Sequence, residues 1–174
     1  MLSLICNFVE KLGEVSMVTK RMRLDIALQY NYLVVGINSQ LNDYRLGFNL
    51  NRVLGIDLRR LDDLPAYFEK EKKNHPFPLY TDNSNKNFKV CFLLSCKNQG
   101  IMLFPQLKYY DYLFLYENPA QDLTEESVVS SIRRITNVQL ANKLLPAELK
   151  GLNMVLVDLE MHLHEIAQNS KTRT

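Results

Sequence analysis

The chain has 174 residues, of which 47% are hydrophobic and 23% charged, a composition that excludes a disordered chain and fits one globular domain. Its 21 basic and 19 acidic residues leave a formal charge of +2, too small an excess for a duplex DNA binder, which needs a basic stripe for its phosphate contacts. No run approaches the ~20 apolar residues of a membrane span, and Met1 to Val9 lacks the basic start and cleavage site of a signal peptide.

Residues 1–21 read as an N-terminal extension, flexible or helical, followed by a single α+β domain over 22–166 and a flexible tail over 167–174. Leu24 to Leu28 alternates as a strand does, Asn31 is a turn residue, and Tyr32 to Ile37 is β-branched and apolar enough for a buried strand. Asn38 or Ser39 supplies an N-cap for a helix over Leu41 to Leu54, whose Leu41, Tyr44, Phe48, Leu50, Val53 and Leu54 recur at helical spacing. Gly55 stands where a left-handed C-cap belongs.

Ile56 to Leu58 is a short extended link. Ala66 to Phe68 and Phe77 to Tyr80 read as short strands, with the charged run Glu69 to Lys73 as a solvated hairpin tip between them. Thr81 to Asn87 is a polar turn, and Phe88 to Cys96 is apolar enough for a central strand. Asn98 to Gly100 forms a turn, and Ile101 to Phe104 opens a final hairpin arm. Pro105 has no amide to donate and marks an edge or break. Tyr109 to Tyr116 is an aromatic strand closed by Asn118 and Pro119. Thr124 caps a second helix with Glu125 and Glu126 in its first turn and Val128, Ile132, Ile135 and Val138 on one face; Pro146 interrupts this helical region. Val157 to His164 alternates apolar and polar residues throughout and reads as a last strand. Two helices and six or seven short strands predict an α+β two-layer domain: a twisted, mainly antiparallel sheet with the two main helices on one face.

The segment Phe104-Pro105-Gln106, Leu107-Lys108-Tyr109, Tyr110-Asp111-Tyr112 resembles the signature of the IPExxxVDY family. Pro105, Asp111 and Tyr112 match with the spacing intact, while Phe104, Gln106 and Tyr110 replace the Ile, Glu and Val of the motif. Asp43-Tyr44-Arg45-Leu46, Asn51, Leu54-Gly55 and Leu149-Lys150 resemble the same family, and the likeness runs from Leu24 to Leu163. It implies a small bacterial cytoplasmic protein of uncharacterised function and brings no catalytic assignment. Gln106 cannot titrate, so no acid catalysis is available at the motif's Glu position.

Three cysteines, Cys6, Cys91 and Cys96, form no disulfide pattern, which suggests a reducing compartment and a cytoplasmic location. Cys91 and Cys96, five apart on a strand, face opposite ways and should not pair. Asp111, embedded among aromatics, needs a donor: Arg45, or the amides of the first helix, which it would cap. Tyr110, Tyr112, Phe114 and Tyr116 would share one strand face, a stacking platform for unpaired RNA bases if exposed and an aromatic ladder under helices if covered. Glu160, His162 and His164 would share another face, about 7 Å between alternate residues, where zinc ligands can sit; a face so near the terminus is more often solvated, and no metal is assigned. His75 precedes Pro76 in a polar loop. The six glycines are scattered, so no phosphate-cradling loop exists, and the nucleophile elbow is absent.

The reading is a non-enzymatic protein-interaction module without cofactor, its protein partner unknown and a homodimer among the options. Single-stranded RNA binding through the tyrosine face, or a small enzyme with a motif-free pocket, is the alternative. The residues expected to carry structure or interaction are Asp43, Tyr44, Arg45, Asn51, Arg52, Pro105, Asp111 and Tyr112.

Overall fold

A six-stranded sheet runs through the middle of the computed structural model, which describes residues 32–69, 71–82, 91–117 and 124–171. The strands are β1 (Tyr32–Ser39), β2 (Leu58–Arg60), β3 (Leu64–Phe68), β4 (Lys73–Phe77), β5 (Leu79–Asp82), β6 (Cys91–Ser95), β7 (Lys97–Asn98), β8 (Ile101–Met102), β9 (Tyr112–Glu117) and β10 (Val138–Leu144). The helices are α1 (Asp43–Leu54), α2 (Glu125–Arg133) and α3 (Leu152–Lys171). The sheet order is β10-β1-β9-β6-β5-β2 with every neighbouring pair antiparallel, and β3–β4 and β7–β8 form separate hairpins. The α+β class and the mainly antiparallel sheet agree with the sequence reading.

Strand alternation divides the core between two faces. On one, Leu33, Val35 and Ile37 of β1 and Phe114 and Tyr116 of β9 meet Leu46 and Leu50 of α1 and Val128 and Ile132 of α2. On the other, Val34, Phe92, Leu94, Leu113 and Leu115 meet the β3–β4 hairpin and α3 through Leu64, Phe77, Leu152, Leu156 and Leu159. The two expected helices cover one face, but a third layer covers the other. Cys91 and Cys96 are buried on opposite faces.

Local signals explain most element ends. Gly55 adopts φ 66° and donates its amide to the Asn51 carbonyl at 2.9 Å, closing α1. Thr124 Oγ1 accepts from the Ser127 amide at 3.2 Å and opens α2. The α1 N-cap is Asn42, not Asn38 or Ser39; Ser39 Oγ instead accepts from the Leu41 amide at 3.1 Å and donates to the Asn137 carbonyl at 2.9 Å. The hairpin differs from the expected one: Lys73, expected in the charged tip, is the first residue of β4 and pairs with Phe68, and the expected strand Phe77 to Tyr80 is split at Pro78 between β4 and β5.

Further expectations are corrected. Val157 to His164 is helical, part of α3, which continues to Lys171 through most of the expected tail. Its buried residues Leu152, Val155, Leu156 and Leu159 follow helical spacing, and the apparent alternation arises because Val157 and Met161 are apolar yet exposed. The helical region before Pro146 ends at Arg133, and Val138 to Leu144 is a strand beside β1. The aromatic strand begins at Tyr112; Tyr109 and Tyr110 belong to a turn after a 3-10 turn at Pro105–Leu107. The expected extension over 1–21, the strand at Leu24 to Leu28, Asn31, residues 83–90 and Asn118 with Pro119 lie outside the described residues.

Among the described residues, both ends of the six-stranded sheet are blunted. Arg133 Nε donates to the Ala141 carbonyl of β10 at 2.7 Å and its Nη2 to Asn142 Oδ1 at 3.0 Å, so a guanidinium occupies part of that edge. The opposite edge, β2, has three residues, of which Arg59 and Arg60 are exposed. Short, charged or occupied edges discourage strand addition, which directs a search for partner contacts to the outer layers.

Candidate functional site

The motif residues assemble a clasp. Asp111 Oδ2 accepts from the Ser39 amide at 3.1 Å, and its Oδ1 accepts from Lys97 Nζ at 2.8 Å. These donors replace both expected ones: Asp111 neither pairs with Arg45 nor caps α1, because it precedes β9 rather than lying within it. Tyr112 donates its hydroxyl to the Leu41 carbonyl at 2.9 Å. Asp111 and Tyr112 thus pin the β1–α1 connection from two sides. Pro105 opens the 3-10 turn, and Gln106 Nε2 donates to the Lys150 carbonyl at 2.8 Å, tying that turn to the start of α3.

Asp111→Ala is expected to lower the unfolding free energy by about 1–3 kcal/mol. Asp111→Asn should cost less, since an amide oxygen still accepts from Ser39 while only a half-exposed ion pair is lost. Urea denaturation of the three proteins checks the order.

The α1 candidates divide by role. Asn51 Nδ2 donates to the Leu58 carbonyl at 3.1 Å and its Oδ1 accepts from the Leu58 amide at 2.7 Å, a two-point clamp that holds β2 against the helix end. Asp43 Oδ1 accepts from the Tyr44 amide at 2.8 Å. Burial, with the Asp43 charge adding to it, pushes the phenols of Tyr80 and Tyr112 up to about 12. Tyr44, Arg45, Phe48 and Arg52 point to solvent, with the Arg45 guanidinium 5.7 Å from the Tyr44 ring centroid.

The tyrosine platform is not there. Phe114 and Tyr116 are buried under α1 and α2, Tyr112 is partly covered there, and Tyr110 packs on the other face against Gly36. Glu160, His162 and His164, a strand face in the sequence reading, are spread around α3 by about 100° per residue. His162 Nε2 lies 3.1 Å from the Asp62 carbonyl, and His164 pairs with Gln168. Among the described residues, no group of His, Cys, Asp and Glu is placed to hold a metal. His75 is buried in β4, its Nε2 2.6 Å from Glu71.

The feature that sequence reasoning missed is a groove of about 390 Å³ between the β3–β4 hairpin, Pro105 and α3. Tyr67, Phe68, Phe104 and Met154 give it an apolar lining, and among the described residues Glu69, Glu71 and Asp158 are its acids and Lys150 its base. Tyr67 is 58% exposed and Met154 70%, more than a core role explains. Met154, Val157 and Met161 recur at helical spacing and form a second, exposed apolar stripe on α3, opposite its core stripe. That spacing was the available signal, hidden once the segment read as a strand. Of the eight residues expected from sequence, Pro105 lines this groove.

Asp158 is half-buried in the groove wall, and burial raises its carboxyl above the usual carboxylate range. The fold disfavours the charged form. Its favourable contribution is therefore complete below the unfolded value of about 3.9 and is lost as pH rises through the higher folded one. Asp158→Asn is expected to melt higher than the parent chain near neutral pH, with the gap closing in acid; melts at the two pH values check the sign.

Comparison with known proteins finds no matching family model, curated protein or solved structure.

Proposed function

We propose that the chain is a cytoplasmic, non-enzymatic protein-interaction module that docks a partner in the groove between the β3–β4 hairpin and α3. One observation carries this reading: α3 is apolar on two sides, and the side that packs on nothing described borders a groove walled by Tyr67, Pro105 and Met154. Contiguous exposed apolar surface of this kind marks interaction sites, and Tyr and Met are enriched in them. Among the described residues no helix is long and apolar enough to cross a membrane, so no membrane-spanning role competes for this stripe. The outer face of α1, with Tyr44, Arg45, Phe48 and Arg52, is the second contact surface within the same reading. The IPExxxVDY resemblance fits a division of labour in which Asp111 and Tyr112 hold the scaffold and Pro105 faces the partner.

The test is a tagged capture from host lysate with and without RNase, comparing the parent chain with the double variant Tyr67→Ser, Met154→Ser. Proteins retained after RNase and lost with the variant are the expected result. Partners that depend on RNA, or that the variant retains, overturn the groove assignment.

A further inference from the structure

We infer that the groove accepts a helical segment of a partner protein carrying a lysine or arginine between two apolar side chains, with the cation meeting Asp158. The inference rests on the docking reading above and adds the chemistry of the partner.

Among the described residues the charged lining comprises three acids, Glu69, Glu71 and Asp158, and one base, Lys150. Glu71 is engaged by His75 on the hairpin. Asp158 differs: among the described residues none donates to its carboxylate, and it stands half-buried beside Met154 and Val155. Partly exposed, it is still reached by bulk water. A partner that displaces that water leaves the charge buried unless it brings a donor, and a cation is the donor that restores most of the lost solvation. A neutral apolar segment would bury the carboxylate unpaired, and an acidic one would add like-charge repulsion, so the same residue rejects both.

The geometry sets the pattern. On α3, Met154, Asp158 and Met161 lie at i, i+4 and i+7, so the carboxylate stands between two exposed methionines on one helix face. The stripe extends about 10 Å along the helix, beyond the groove itself, which suits a segment rather than a small molecule. An amphipathic helix laid along it would present apolar, basic and apolar side chains at three- and four-residue spacing. Adaptable methionines suit a family of such sequences rather than one.

Two labelled amphipathic peptides test this, alike in their leucines and differing only in lysine or glutamate between them. Each is titrated by fluorescence anisotropy into the full-length chain and its Asp158→Asn and Met154→Ser variants, with folding of each variant checked by its melt. The lysine peptide should bind roughly tenfold tighter than the glutamate peptide. Asp158→Asn should abolish that preference, and Met154→Ser should weaken both peptides. Equal binding of both peptides, weakened by Met154→Ser, would overturn the cation assignment and leave the docking reading standing. A preference that survives Asp158→Asn would overturn the role of Asp158. Binding of neither peptide would overturn both readings.

Discussion

Phe114→Ala is expected to lower the unfolding free energy by about 3–5 kcal/mol, the upper range for truncation of a buried core residue. Phe114 is fully buried at the middle of β9, opposite Val35 of β1 and Leu93 of β6. Its ring centroid lies 6.1 Å from that of Tyr116, and both rings belong to the core shared with α1 and α2. Truncation opens a void in the core that β1, β6 and β9 share with α1 and α2, and the antiparallel pairs on either side prevent the sheet from closing over it. Calorimetry or urea denaturation reads the loss directly. For a domain of this size it corresponds to a fall in Tm of about 2–4 °C per kcal/mol.

Gly36→Val is expected to cost about 1–3 kcal/mol or more, for the opposite reason, overpacking. A Cβ at Gly36 would stand 2.8 Å from Tyr110 Cδ1 and 2.9 Å from Tyr110 Cε1 and Leu144 Cδ1. The leucine methyl can rotate away. The tyrosine ring cannot do so cheaply: the Tyr110 amide donates to the Leu107 carbonyl at 2.9 Å, and its hydroxyl accepts from Asn142 Nδ2 at 3.3 Å. The glycine therefore exists for a close approach of a ring to a strand, not for an unusual backbone angle. The double variant Gly36→Val, Tyr110→Leu should recover part of the loss, and a double-mutant cycle by urea denaturation measures that coupling. Simple additivity would place the cost of Gly36→Val elsewhere than at the ring.

These positions show where sequence reasoning reached and where it stopped. Strand β1, helix α1 with its Gly55 cap, the Thr124 cap and the apolar strand β6 were legible because one signal, period or cap chemistry, agreed with the tertiary environment. Strand β10 was not, because it lies at an edge: Gln139, Leu140 and Lys143 are open to solvent or partly so, and too few of its side chains are buried to impose a period of two. Helix α3 was misread because its exposed stripe is apolar. The rule that apolar residues face the core fails where a surface is kept apolar, and that failure points to the groove. The clasp was half legible: Asp111 was seen to need a donor, but Lys97 and Ser39 reach it from segments 14 and 72 residues away, pairings that only the folded chain brings together.

The separation of roles has a consequence for any variant series. Changes at Asp111, Tyr112 and Asn51 act on stability through the connections flanking α1. Changes at Tyr67 and Met154, both largely exposed, should leave stability within about 0.5 kcal/mol of the parent and act on binding alone.

The most direct test places a photoreactive amino acid at Met154 in the full-length chain, with the same probe at the exposed turn residue Gln99 as control, and irradiates both in host cells. Docking in the groove predicts a discrete protein adduct from position 154 that is absent from position 99 and lost when Tyr67→Ser is added. Indistinguishable patterns from the two positions, or an adduct indifferent to Tyr67, would contradict it.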